Sequence, residues 1–194
     1  MTDDSYDARV AKALSELGIP ATYGEERRLP RHAEAGDLVS AGRDIYGRDR
    51  QLTPYAALRW AELGAAARQE GVEVSLVSAF RSLEYQRRIF ERKILAGESL
   101  ESILKVNAPP GYSEHHTGRA VDIATPDCPP LVAQFETTAA FGWLARQAHR
   151  FGFAMTYPRE NPFGMAYEPW HWTVQEQAPR RVERLEGTIA ESDP

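Results

Sequence analysis

The chain has 194 residues, 42% of them hydrophobic, with four Trp, seven Phe and eight Tyr, enough for one packed domain with at most a small appendage. Its 23 basic and 28 acidic residues leave a formal charge of −5 without a long basic run, which argues against nucleic acid as a partner and leaves a cationic peptide or a neutral small substrate open. A single cysteine, Cys128, excludes an intramolecular disulfide, and no stretch approaches the ~18 apolar residues of a membrane span. The acidic opening Met1-Thr2-Asp3-Asp4 has no apolar segment of the secretory kind. A cytoplasmic location is therefore expected, or a periplasmic or extracellular one if an export signal has been trimmed away.

In chain order, Val10, Ala11, Leu14 and Leu17 recur at helical spacing from Tyr6 until Gly18-Ile19-Pro20 stops them. Residues 20–36 are polar and broken by Pro and Gly, which reads as a linker or a wrapping arm. This sets expected boundaries: a helix and arm over 1–36, a compact domain over 37–175, and a charged, frayed tail over 176–194. Leu38-Val39-Ser40 and Asp44-Ile45-Tyr46 suggest a short hairpin. Thr53-Pro54 opens a helix to about Glu70, a hydroxyl cap followed by proline at the first helical position. Its inward residues are expected to be Leu58, Ala61, Leu63 and Ala65 to Ala67. Val72, Val74 and Leu76 alternate with polar residues as in a half-buried strand. Ser82 caps a helix with apolar positions Leu83, Phe90, Ile94 and Leu95, and a short helix follows from Ser99 to Val106. Ala120 to Ala124, Phe153 to Tyr157 and Trp170 to Val174 read as strands, with a helix from Thr137 or Thr138 closed by Gly152. Strands separated by long helices, without a nucleotide-binding glycine fingerprint, give an α+β fold with a small, mainly antiparallel sheet and helices packed around it.

Three patches carry chemistry: Ser78 to Ser82, Ser113 to Asp122, and Tyr167 to Trp172. Catalytic zinc takes three protein ligands and keeps a fourth position open. His115, Asp122 and His171 supply two nitrogens and one oxygen, with His115 on a loop, Asp122 in the following strand and Gly118 bending the chain between them. Spacing alone does not choose between His115 and His116. Glu168 lies three residues before His171, extended by Pro169, where a carboxylate near a metal can act as general base. Arg81 offers a rigid fork of donors suited to a carboxylate or a carbonyl oxygen. The plainer readings make the histidines surface residues, Arg81 a partner of Glu84, and Trp170 and Trp172 core. His32 and His149 read as structural or solvated and Cys128 as inert. Asp122, inside a half-buried strand, needs a partner, and a metal is one.

Ser113-x-His115-x-x-Gly118-x-Ala120-x-Asp122 resembles the Ser-x-His-x-x-Gly-x-x-x-Asp motif of the VanY-type D-alanyl-D-alanine carboxypeptidases. Glu168-Pro169-Trp170-His171 is similar to their Glu-x-x-His motif, and Ser78-Ala79-Phe80-Arg81-Ser82 with Gln86 to their Ser-x-Tyr-Arg-Ser-x-x-x-Gln segment. The resemblance runs from about Asp37 to Val174 and selects His115 over His116. It implies zinc ligands His115, Asp122 and His171, a catalytic base Glu168, and Arg81 on the substrate carbonyl and developing oxyanion. It also implies substrate contacts from Ser113 and Gln86. The fold it implies is that shared with the hedgehog signalling domain. Phe80 departs from the commoner Tyr, removing a hydroxyl but keeping a ring.

The expected activity is thus a zinc-dependent carboxypeptidase removing C-terminal D-alanine from peptidoglycan stem peptides or muropeptides, Glu168 activating the attacking water on zinc. Both D,D and L,D specificities fit, with a tilt towards L,D trimming of recycled tetrapeptides. A D-Ala-D-Ala dipeptidase, an endolysin-type peptidase and a zinc-binding domain without activity are the competing readings, and Glu168 speaks against the last.

Overall fold

The computed structural model describes residues 5–175. The frayed tail expected over 176–194 lies outside them. A four-stranded antiparallel sheet carries the fold, in the order β3 (Ser75–Ser78), β4 (Ala120–Ala124), β6 (His171–Val174), β5 (Phe153–Met155). A separate hairpin, β1 (Val39–Arg43) with β2 (Asp49–Leu52), continues towards the β3 edge, where Ile45 N–H donates to Leu76 C=O at 2.9 Å. The α+β expectation holds. The hairpin's second strand starts at Asp49 rather than at 44–46, because Asp44 closes the turn by accepting from the Tyr46 and Arg48 N–H groups.

One face of the sheet is apolar. Val121 and Ile123 of β4 and Trp172 and Val174 of β6 pack on α3 (Pro54–Gln69) and α6 (Ala139–Gln147). In α3 the inward residues are Ala56, Trp60, Leu63 and Ala67, one stripe at helical period. Leu58, Ala61 and Ala65 point outward, against expectation: three alanines at the end of a helix do not reveal its face, whereas Trp60 does. Thr53 caps α3 through its hydroxyl and Thr138 caps α6, as their sequences suggested.

A second core forms on the other side. Val10 and Leu14 of α1 (Tyr6–Glu16) join Tyr23 of the one-turn helix α2 (Tyr23–Glu26) and Leu29. They pack on Leu83 and Phe90 of α4 (Leu83–Leu95) and Ile103 of α5 (Leu100–Val106). Ile94 and Leu95 of α4 are exposed, the latter at 86%, while the polar Gln86 is buried. Residues 32–35 then run beside the 111–116 segment, with His32 N–H on Gly111 C=O and Ala35 N–H on His116 C=O. His149 is exposed and the His32 side chain half-buried, and Cys128 packs half-buried against the main core. No helix among the described residues is long and apolar enough to cross a membrane.

Candidate active site

The site lies on the other face of the same sheet. Antiparallel register places Ser78 opposite Asp122 and Asp122 opposite His171, one rank across three strands. Side chains alternate between faces along a strand. Asp122, His171 and Thr173 therefore point away from the core that Val121, Trp172 and Val174 fill.

His115 comes from outside the sheet. Ser113 precedes a one-turn 3-10 helix, Glu114–Thr117, which ends on Gly118 at φ +64°. A Cβ at Gly118 would lie 3.0 Å from Leu38 and 3.2 Å from Ala35 and Thr53, so both conformation and contact demand glycine. Gly118→Ala is expected to cost about 2–3 kcal/mol in urea unfolding, the left-handed backbone contributing about 1–2 of it. An unchanged midpoint would show that the turn is not held this tightly. The 3-10 turn is stitched to residues 79–81 by three bonds: His115 Nδ1–H to Ala79 C=O at 2.7 Å, Arg81 N–H to His115 C=O at 3.1 Å, and His116 Nδ1–H to Arg81 C=O at 2.6 Å.

His116 is fully buried and also accepts the Gly111 N–H on Nε2 at 3.0 Å. It braces two loops and both of its ring nitrogens are used. Burial, first, holds it neutral, its pKa lowered to about 4. His116→Ala strands a buried carbonyl and a buried N–H, so a loss of about 2–4 kcal/mol in unfolding free energy is expected. A loss below about 0.5 kcal/mol would contradict the bracing role.

The donor atoms of His115, Asp122 and His171 lie within 4.8 Å of one another, and all three residues are buried. His115 gives its only proton to Ala79, so its Nε2 presents a lone pair 3.2 Å from Asp122 Oδ2. Burial first, then Arg81, lowers its pKa to about 4. Two electron-pair donors so close need a cation beside them. The Arg81 Nη2 takes that part, 2.5 Å from Asp122 Oδ2 and 3.0 Å from His115 Nε2. Across the triangle, His171 Nδ1 is 3.0 Å from Asp122 Oδ1. Tetrahedral zinc with bonds of about 2.0–2.1 Å separates its ligands by about 3.3–3.4 Å. The His2Asp set, with both histidines within 3.2 Å of the Asp122 carboxylate, and its call for a cation suit that metal.

Glu114 assigns the remaining nitrogen. Its Oε2 meets His171 Nε2 at 2.9 Å and the Thr173 hydroxyl at 2.6 Å, and Thr156 donates to Thr173 at 3.3 Å. That contact keeps the proton on Nε2 and turns Nδ1 to Asp122. Outer carboxylates commonly orient metal-binding histidines in this way. Burial acts against charge on His171, but Asp122 and Glu114 outweigh it and push its pKa up to about 10. Tyr157 lays its ring over the same imidazole, centroids 4.9 Å apart. The motif had singled out neither Glu114 nor Tyr157. A carboxylate directly before a candidate ligand histidine was the available signal for Glu114, while Tyr157 had none.

Glu168, Arg81, Gln86 and Ser113 line the cleft of ≈ 440 Å³ onto which the triangle opens. Glu168 is buried, and its desolvation, outweighing the nearby His171, raises its pKa from 4.5 to about 7. Arg81 does not pair with Glu84, which binds Arg87 and Arg88 instead. It is aimed by Nε on Ser78 Oγ at 2.9 Å and lies 3.5 Å from Gln86 Oε1. Gln86 is itself fixed by donating to Ala108 C=O at 2.8 Å. Trp172 belongs to the core, while Trp170 is half-buried and lines the cleft.

The chain is 32% identical over 166 residues to YodJ of Bacillus subtilis, named as a carboxypeptidase, matching 79% of this chain and 58% of that one. Among solved structures, the LdcB LD-carboxypeptidase superposes with a TM-score of 0.66 at 30% identity, over 75% of this chain and 71% of that one. A mutant of the vancomycin-resistance D,D-pentapeptidase VanY, in complex with Zn(II), superposes with a TM-score of 0.57 at 26% identity, over 80% and 82%. The profile of the VanY family, D-alanyl-D-alanine carboxypeptidase, matches residues 49–176, which include every cleft residue named above and exclude the N-terminal arm, and the chain belongs to that family.

Proposed function

We propose that the protein is a zinc-dependent carboxypeptidase that removes the C-terminal D-alanine of peptidoglycan stem peptides. The observation that carries this is the buried His115, Asp122 and His171 triangle sharing one cleft with Glu168 and Arg81. Zinc, when bound there, supplies a Lewis acid that acidifies water and polarises a carbonyl. Glu168, with its pKa near neutrality, takes the proton of the attacking water and delivers it to the leaving amine. Arg81, aimed by Ser78, donates to the scissile carbonyl oxygen as negative charge builds on it. Gln86 and Ser113, which line the same cleft, contact the peptide in this reading. The likeness to the LdcB LD-carboxypeptidase favours the tetrapeptide, and that to the VanY D,D-pentapeptidase the pentapeptide.

Mass spectrometry of zinc-loaded protein with stem pentapeptide, tetrapeptide and free D-Ala-D-Ala decides between them, with an EDTA-treated control. Loss of one alanine from the pentapeptide means D,D activity and from the tetrapeptide L,D activity. Cleavage of the free dipeptide alone makes it a dipeptidase. No cleavage of any of them overturns the proposal.

A further inference from the structure

The charge of the cleft is divided. The acidic side chains lining it, Glu114, Asp122 and Glu168, surround the triangle. Away from the triangle, the charged side chains lining it are all basic: Arg48, Arg50, Arg92 and Lys93. In a chain of net charge −5, this is a local reversal of sign.

The basic wall is built. Asp44, buried in the β1–β2 turn, accepts Arg48 Nε and Arg50 Nε, both at 2.8 Å, on one oxygen. Its other oxygen takes the Tyr46 and Arg48 N–H groups. Burial alone would raise the Asp44 carboxyl, but these bonds hold it at about 2. Two guanidiniums clamped on one carboxylate leave a net positive charge, with the Arg48 side chain half-exposed and Arg50 mostly buried behind it. Arg48 also lies over the Tyr46 ring, 4.6 Å from its centroid, which limits its motion. Arg50 reaches Val77 C=O at 3.3 Å, next to the Ser78 that aims Arg81, so the wall joins the site along β3. From α4, Arg92 has no ion pair among the described residues, and Lys93 pairs with Glu98 at 3.7 Å.

Helix α4 supplies a ruler. Gln86, beside Arg81, and Lys93 lie on the same cleft-lining stripe, seven residues apart, or about 10 Å along the axis. An extended peptide advances about 3.3–3.6 Å per residue, so that span is two to three residues.

We infer that the wall formed by Arg48, Arg50, Arg92 and Lys93 binds a carboxylate of the substrate two to three residues upstream of the scissile bond. The proposal rests on the peptidase reading and deepens it: the preferred substrates are anionic stem peptides. Two carboxylates of a stem peptide fall in that range, the α-carboxylate of the γ-linked glutamate and the side-chain carboxylate of a diaminopimelate residue. Amidation of either removes the charge while keeping the shape.

The test measures dissociation constants on zinc-loaded Glu168→Ala protein, which leaves the peptide intact. One peptide pair is L-Ala-γ-D-Glu-L-Lys-D-Ala-D-Ala with the glutamate α-carboxylate free or amidated. A second pair carries diaminopimelate in place of lysine, with its side-chain carboxylate free or amidated. The free acid of at least one pair should bind about tenfold more tightly at low ionic strength, and the advantage should shrink as salt screens it. The pair that shows it identifies the carboxylate. The advantage should fall to about twofold or less when Arg48→Ala and Arg92→Ala are added together, and should already weaken with the exposed Arg92→Ala alone. Equal binding within both pairs, binding of none of these peptides, or a preference that survives both substitutions would each overturn the proposal. D-alanine release by the unsubstituted protein from the same peptides judges the peptidase reading separately.

Discussion

Glu168→Gln is expected to keep zinc and lose ~10²–10⁴-fold in turnover, the range for a positioned general base. The acid limb of kcat/KM should follow the same group. Glu168 must be ionised to accept a proton, so activity rises with pH through its pKa, which burial raises to about 7. Zinc favours the carboxylate form and moves that limb below 7. The sign reverses for stability. The folded state prefers Glu168 protonated, so stability falls as pH rises from the unfolded value near 4.5 to the folded value near 7. Metal-free Glu168→Gln protein should therefore be more stable than its parent at pH 8, by about 1–3 kcal/mol, and indistinguishable from it at pH 4. Urea unfolding at the two pH values checks this. Retained turnover would remove Glu168 from the base role, and equal stabilisation at both pH values would remove the burial argument.

The elements were legible because their ends are chemically marked. Thr53-Pro54, Ser82, Ser99 and Thr138 each cap a helix where a hydroxyl precedes an apolar pattern. The positions read less well are those where pattern and packing diverge. Ile94 and Leu95 carry the right side chains at the right period, but α4 ends beyond the second core and leaves them exposed. The turn at Asp44 looked like strand because Ile45 and Tyr46 are strand-forming residues. A buried carboxylate taking two N–H groups and two arginines overrides that propensity.

The candidate site divides in the same way. Its three motifs were visible as residue types in order, and the fold brings the seven residues given a role in them, His115, Asp122, His171, Glu168, Arg81, Ser113 and Gln86, to one cleft. The second layer was not visible. Ala79 C=O acts through the backbone, which side-chain identity does not record. His116 and Glu114 both sit beside His115 in sequence, yet face in different directions: one braces loops, the other reaches across to β6. Only the pairing register, which brings Thr173 and His171 under the 3-10 turn, says which is which.

His171→Ala is expected to abolish stoichiometric zinc, because it removes one of three donors and leaves Glu114 and Asp122 without their shared cation. Zinc content by atomic absorption checks this, and an unchanged metal content would take His171 out of the donor set. Glu114 separates holding the metal from holding the ligand. In the metal-free state, Asp122 and Glu114 together keep His171 charged, its pKa pushed up to about 10 against the effect of burial. Metal coordination through Nδ1 must displace the proton facing Asp122, whereas the proton facing Glu114 stays. Zinc binding by Glu168→Gln protein at pH 7, where Glu168 contributes no proton, should therefore release about one proton, read from the dependence of the calorimetric heat on buffer ionisation enthalpy. Glu114→Gln keeps a polar group near Nε2 but loses the charge that orients and polarises the ring. A zinc affinity about 10–100-fold weaker is expected, with the fold retained. If Glu114→Gln bound zinc as tightly as the parent, the carboxylate would be holding Thr173 and the sheet rather than setting the imidazole for a metal.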